Sequence, residues 1–416
     1  MQQGHLLVTG LDDGGGSGLA WEGHSLATIP LARFTECFLN PGKTIDYNGR
    51  KITYPDIRLV FWSGGNPFAQ QEDTNGLIKA WKKPETTIVC DTVWTASARF
   101  ADIVLPACTS LERNDITAIG SYSNMGYVAM QKAIEPQYES HSDFWIYREL
   151  AKKMGFEKDF TEGLDEMGWI RRFYEQARQE AKANELEMPD FEEFWARGYI
   201  LFPVTNESRH YNYMGDFRRN PIVNPLGTES GKIEIFSKKI ASYKYDDCPA
   251  HPTWMTPTEW LGADLAKDYP FALLTSKSRY RLHSQLDSTA SNLFGNVEDR
   301  EPVWIHPKAA EKLDLKTGDV ALVESRRGKV LAGVIVTDRI RPDTVVIHHG
   351  AWYCPEESGE EGTLDLHGCD NVLTIDIPSS KLSCGNVANS TLVRIRKYDD
   401  ELGEIYVHRQ PETTRA

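Results

Sequence analysis

Apolar and polar positions fall into short blocks along the chain. Three apolar runs stand close together: Leu59-Val60-Phe61-Trp62, Thr87-Ile88-Val89-Cys90 and Ile103-Val104-Leu105. Each ends in turn residues: Gly64-Gly65-Asn66-Pro67, Asp91 and Pro106. Between the first two, Asp73 to Lys83 carries Leu77, Ile78 and Trp81 at helical spacing, and Pro84 stops it. Strand, helix and strand in that order predict parallel strands with a crossover. The strand ends then gather loops that can hold a ligand.

Upstream, residues 1–28 are glycine-rich and polar and read as loop. Ile29 to Leu39 has the spacing of a short helix, ended by Asn40-Pro41-Gly42. Asn48-Gly49 signals a hairpin turn. Downstream, Asp143 opens a helix with Phe144, Trp145, Tyr147, Leu150, Ala151 and Met154 on its apolar side and Gly155 as cap. Leu164 to Ala183 is a second helix, and its Trp169, Ile170, Phe173, Tyr174 and Ala177 read as core. Residues 203–262 are rich in Pro, Asn, Tyr and Asp, an irregular surface segment broken by a strand at Lys232 to Phe236.

From Pro270 the pattern changes. Short strands are expected at 271–275, 320–324, 330–337 and 344–348, with turns at Lys316-Thr317-Gly318-Asp319 and Arg326-Arg327-Gly328. That spacing predicts a β-barrel. The chain divides into a lead-in over 1–54, an α/β domain over 55–200, a connecting segment over 201–265, a barrel domain over 266–400 and a tail over 401–416.

A length of 416 residues with 40% hydrophobic and 25% charged residues describes an ordinary globular chain with a sizeable core. The net charge of −14 argues against nucleic acid or an anionic membrane as partner. It leaves room for a small anionic cofactor held by local cations. No apolar run reaches membrane-spanning length, and Met1-Gln2-Gln3-Gly4-His5 shows no signal peptide. Seven cysteines without a CxxC pair predict reduced, mostly buried thiols rather than disulfides or a thiolate metal site.

The candidate chemistry lies on loops. Gly64-Gly65 allows close backbone approach to a ligand, and Asn66 offers an amide. Asp91, at a strand end, either accepts paired N–H bonds from a ligand or caps a helix before Val93-Trp94. Ser276 to Gln285 gathers Lys277, Arg279, Arg281, His283 and hydroxyls. This set suits a pyrophosphate and a heterocycle edge, or else forms a solvated basic loop. There is no GxGxxG, no GxxxxGK[ST] and no GxSxG elbow. A nicotinamide-dependent dehydrogenase therefore ranks last.

Read together, Ser63-Gly64-Gly65-Asn66-Pro67, Trp94-Thr95-Ala96, Ala101-Asp102-Ile103-Val104-Leu105-Pro106-Ala107 and Glu112-Arg113-Asn114-Asp115 resemble the molybdopterin oxidoreductases of the dimethyl sulfoxide reductase family. The nearest types are the trimethylamine N-oxide, dimethyl sulfoxide and biotin sulfoxide reductases. Leu282-His283-Ser284-Gln285-Leu286, His348-His349-Gly350-Ala351-Trp352-Tyr353 and Gly385-Asn386-Val387-Ala388-Asn389 add to it. The resemblance runs from about Ile29 to about Tyr398 and matches the later half of the family's chain.

The resemblance implies a Rossmann-like parallel-sheet domain and a C-terminal β-barrel of double-psi type. It implies a bis-molybdopterin guanine dinucleotide cofactor with molybdenum, which removes oxygen from S- or N-oxides. In the first domain the implied cofactor positions are Asn66, Gln70, Cys90, Asp91, Arg113 and Asp143, with Cys90 acting through its backbone. Gln70 stands where relatives often carry His, and Asp143 is either a contact to the guanine end or an N-cap. In the barrel they are Ser276, Lys277, Arg281, His283, Ser284, Gln285, Asn371, Ala388 and Asn389. Asn389 replaces the family's usual Gln or His.

No catalytic residue and no metal ligand is expected here, because the family's metal-ligating serine lies in its earlier half. The chain alone is then expected to lack reductase activity. The alternative is a non-catalytic module that complements a separate N-terminal chain. Implied partners are the oxide, an electron donor such as a c-type cytochrome, and that N-terminal half. The implied compartment is the periplasm, with the cytoplasm as alternative.

Overall fold

The computed structural model describes residues 11–12, 29–120 and 125–414. The glycine-rich stretch expected as loop over 1–28 lies almost wholly outside them. The chain forms two compact units, one over Leu105–Phe236 and one made of His5–Val104 with Ser237–Ala416.

In the larger unit, Leu59–Ser63 runs parallel to Thr86–Asp91, and Ile103–Pro106 completes a three-stranded sheet. The connecting helix is Thr74–Trp81. It begins at Asp73, whose carboxylate accepts the Gly76 N–H at 3.1 Å. Leu77, Ile78 and Trp81 are buried as their spacing predicts. Thr44–Tyr47 and Arg50–Thr53 pair antiparallel around the Asn48-Gly49 turn, both turn residues at positive φ.

The barrel belongs to the same unit. Its strands run in the order Pro302–Ile305, Thr344–Ile347, Phe271–Leu274, Thr391–Lys397, Val320–Glu324 and Lys329–Val336, and the last pairs back onto the first. Six strands therefore close a ring of mixed parallel and antiparallel pairs. Closure leaves no open edge and buries both Val320–Glu324 and Thr344–Ile347 completely. Pro302–Ile305 and Thr391–Lys397 are two strands beyond the expected four, the second alternating buried Val393 and Ile395 with exposed Arg394 and Arg396.

Asp365, fully buried, fixes the turn that follows. Its carboxylate accepts the N–H groups of Cys354 and Cys369 at 2.8 and 2.7 Å and those of His367 and Gly368 at 3.3 and 2.7 Å. All seven cysteines are free thiols, six of them buried.

The smaller unit pairs Asp115–Ile119, Gly126–Met130 and Tyr199–Leu201 antiparallel, with helices Asp143–Met154, Glu166–Ala183 and Phe191–Arg197. Ile116, Ile170, Tyr174, Phe191, Phe194 and Ile200 are core residues there. Three expectations need correction. The N-cap of the Asp143–Met154 helix is Ser142, whose hydroxyl accepts the Trp145 N–H at 3.2 Å. That helix buries Ala151 and half-buries Phe144, Tyr147 and Leu150 as expected, but it also buries Ile146 and leaves Trp145 and Met154 exposed. Lys232 to Phe236 forms no strand, and Ile233 and Ile235 are exposed.

Candidate cofactor-binding site

The strand Leu59–Ser63 ends in Gly64 and Gly65, at φ of +72° and +77°. That left-handed pair turns the chain without a Cβ penalty, and the space beside Gly64 is open for 4 Å. Asn66 follows, 2% exposed. Its Oδ1 accepts the Ser97 hydroxyl at 2.6 Å and the Ser97 N–H at 3.1 Å, while its own N–H donates to Gln70 Oε1 at 3.0 Å. These bonds fix the amide's orientation. Its Nδ2, buried, has no partner. A buried amide donor without an acceptor costs about 1–3 kcal/mol, so this Nδ2 can still donate a hydrogen bond.

Gln70 thus serves the loop through its side-chain oxygen. Cys90 is buried and its carbonyl accepts the Gly64 N–H at 3.3 Å. Asp91 does not cap a helix; Thr95 caps the Ala96–Arg99 turn. The Asp91 carboxylate accepts the Thr92 N–H at 2.8 Å and the Thr95 hydroxyl at 3.0 Å.

The barrel places a second such amide nearby. Asn371 is fully buried, its Oδ1 accepts the Thr374 hydroxyl at 3.4 Å, and its Nδ2 also lacks a partner. The two loops meet within the unit. The Cys369 thiol approaches the Phe68 carbonyl at 3.7 Å, and the Asp73 N–H donates to the Thr374 carbonyl at 3.2 Å. Further links are Gln71 Nε2 to Asp376 at 3.0 Å and Asn386 Nδ2 to Glu72 at 2.6 Å. Burial lifts Glu72 to about 7 and Asp376 to about 6. Nothing in the local sequence signals Glu72 or Asp376 as site residues; only the fold buries them here.

On the loop after Phe271–Leu274, Lys277 Nζ lies 2.9 Å from His283 Nδ1, and both are exposed. Burial and the Lys277 charge hold His283 below its ordinary pKa. Ser276 Oγ meets His348 Nδ1 at 2.9 Å, and His349 Nδ1 meets Asp370 at 3.1 Å. Asp370 raises the His349 pKa. Ser284 is buried and its carbonyl accepts the Trp352 indole N–H at 2.7 Å; Gln285 is exposed. The His283 carbonyl packs so closely on Gly350 that a Cβ there would come within 2.0 Å of it.

Arg281 sits differently. Its guanidinium is buried, 2.5 Å from Glu301, 3.0 Å from Asn292 Oδ1, and bonded to the His348 and His349 carbonyls at 3.0 and 3.2 Å. Burial alone would lower its pKa, but Glu301 and Asp287 outweigh that and hold it charged. Asn389 Oδ1 accepts the Thr275 N–H at 2.9 Å, and the Ala388 carbonyl accepts the Thr391 hydroxyl at 2.9 Å. These last two residues join the strand ends beneath the loop.

In the smaller unit, Arg113 pairs with Asp115, and its Nε is buried without a partner. Glu112 beside it is buried and accepts the Thr109 hydroxyl and N–H, both at 2.7 Å, and the Gln137 N–H at 2.6 Å. The Thr109 bonds hold its pKa below the ordinary range. Asp143 is half-buried in the first helical turn.

Residues 20–153 match the family "Molybdopterin oxidoreductase", and residues 271–392 match "Molydopterin dinucleotide binding domain". The chain is 48% identical over 392 residues to a dimethyl sulfoxide/trimethylamine N-oxide reductase of Cereibacter sphaeroides, covering 94% of this chain and 47% of that one. It is 47% identical to a trimethylamine-N-oxide reductase of Haemophilus influenzae, covering 93% and 47%. Against trimethylamine-N-oxide reductase 1 of Escherichia coli K12 the identity is 42%, covering 92% and 45%. The chain thus spans about half the length of these relatives. Acetylene hydratase from Pelobacter acetylenicus shares the fold, with TM-score 0.65, 19% identity, and coverage of 90% of this chain and 47% of that one. By its two matched segments and this degree of identity, the chain belongs to the molybdopterin oxidoreductases.

Proposed function

We propose that this chain is the cofactor-holding part of a reductase that takes oxygen from S- or N-oxides. Its ligand is a molybdopterin guanine dinucleotide, of which the complete site holds two around molybdenum. We read its sheet as Rossmann-like and its barrel as double-psi. The carrying observation is the pair of buried, unpartnered amide donors, Asn66 Nδ2 and Asn371 Nδ2, on loops joined within one unit. A pterin edge offers the acceptors they lack.

When bound, the cofactor supplies the oxygen-transfer chemistry itself. The chain's residues bind and orient. Asn66 and Asn371 fix heteroatoms, while Lys277, with His283 beside it, supplies a cation at the exposed rim for phosphate. Arg281 holds the loop that carries them. In the smaller unit, taken by itself, Arg113 and Asp143 are our proposed cofactor contacts.

The test is to purify the chain from a host that makes the cofactor, then assay pterin fluorescence and guanosine monophosphate released by acid. Both should be present in the wild type and reduced in an Asn66→Ala, Asn371→Ala double variant. A folded wild-type chain free of both compounds would overturn the reading. Reduction of trimethylamine N-oxide or dimethyl sulfoxide by reduced viologen, with the family's N-terminal half supplied, then tests the substrate class.

A further inference from the structure

Another cluster of ligand-type side chains lies in the barrel-bearing unit. Asp287 follows the loop of Ser276 to Gln285, His367 stands in the turn fixed by Asp365, and His408 lies in the C-terminal tail. One ligand atom from each lies within 4.8 Å of the other two. The Asp287 and His367 side chains are buried, and that of His408 is 19% exposed.

The histidine chemistry is informative. His367 Nδ1 is 3.0 Å from the Trp352 carbonyl. A carbonyl only accepts, so Nδ1 carries the proton and Nε2 keeps its lone pair. That Nε2 is buried and has no partner. A metal-ligating histidine is oriented in this way, its other N–H given to a backbone carbonyl.

Asp287 is held in the same manner. Its Oδ1 accepts Asn292 Nδ2 at 3.2 Å, and its Oδ2 faces the Trp352 N–H at 3.4 Å. Oδ2 also lies 2.8 Å from His408 Nε2 and 3.8 Å from His367 Nδ1. Arg281 is 3.7 Å away on the Oδ1 side, and its charge goes first to Glu301 at 2.5 Å.

We propose that Asp287, His367 and His408 form a site for one divalent cation of the zinc class, with water as a fourth ligand. Two imidazoles and a carboxylate are a ligand set that zinc accepts. The three come from distant segments, so the ion ties the tail to the loop that bears Ser284 and Gln285. This site does not rest on the cofactor reading.

The experiment uses the full chain and the metals alone. Co2+ should bind at one equivalent with the visible bands of a four-coordinate ion and without sulfur charge-transfer bands. Cu2+ at the same site should show paramagnetic-resonance coupling to two imidazole nitrogens. His408→Gln and Asp287→Asn should each weaken Co2+ binding at least tenfold. The wild-type readings stand even where a variant fails to fold. A wild type that takes up no Co2+, shows thiolate bands, or couples to fewer than two imidazoles overturns the site. Equal binding by wild type and a folded His408→Gln variant does so too.

Discussion

Two loops in the larger unit leave strand ends and are built from opposite materials. The loop after Leu59–Ser63 is neutral: two glycines, an asparagine and a serine, ordered by short hydrogen bonds that leave Asn66 Nδ2 unspent. The loop after Phe271–Leu274 is charged, yet its best-placed cation is already used. Arg281 is surrounded by Glu301, Asn292 and two carbonyls. Among the described residues Asn66 keeps a buried donor on a neutral amide, whereas Arg281 commits both terminal nitrogens to its surroundings and keeps only Nε without a partner. The two loops therefore offer different groups, a fixed amide on one and the exposed Lys277 and His283 on the other.

The largest effect that can test this contrast is on stability. Arg281→Ala leaves Glu301 and Asp287 buried without their counter-ion, and breaking such a pair costs about 3–5 kcal/mol. Urea unfolding of the variant should show that loss, with weaker cofactor retention only as a consequence. A variant as stable as wild type that merely binds less cofactor would make Arg281 a ligand residue and erase the contrast.

Next in size is a pH effect beside the neutral loop. Burial raises Glu72 from 4.5 to about 7, which is worth about 3 kcal/mol. The native state binds the proton more tightly than the unfolded chain. The stabilisation is therefore full below about pH 4.5 and is lost as the pH rises through 7. Asp376, raised to about 6 by burial, acts with the same sign. Unfolding free energies at pH 5 and pH 8 should differ more in wild type than in Glu72→Gln. Equal slopes would remove Glu72 from the buried site.

Much of this architecture was legible. Leu77, Ile78 and Trp81 gave the crossover helix, and Asn48-Gly49 gave the hairpin, because each pattern acts locally. The barrel was legible as repeated strands, but its closure was not, because the pairings of Pro302–Ile305 with Lys329–Val336 and of Thr391–Lys397 with Val320–Glu324 leave no local signal. Of the site, Asn66 and Asn371 could be named from the resemblance. Their free donors could not, since those depend on Ser97 and Thr374 taking the amide oxygens. The Asp287, His367 and His408 cluster had no sequence signal at all, its members lying 80 and 41 positions apart (367 − 287 and 408 − 367). Metal-site spacing rules work only where neighbouring ligands share one turn or helix.

The smallest effect sharpens the neutral loop's side of the comparison. Ser97 does two jobs there: its hydroxyl donates to Asn66 Oδ1 at 2.6 Å and accepts the Phe68 N–H at 3.2 Å. Ser97→Ala removes both bonds but keeps the Ser97 N–H on Asn66 at 3.1 Å. The stability loss should be about 1–2 kcal/mol, the cost of one unsatisfied buried N–H and a weakened amide. With one anchor left, the Asn66 amide can turn over and present oxygen where it now presents Nδ2. Pterin content per folded chain should then fall by more than the stability change explains. Thr374→Val should act likewise on Asn371. If both variants keep full pterin content at reduced stability, amide orientation is not what these loops contribute to binding.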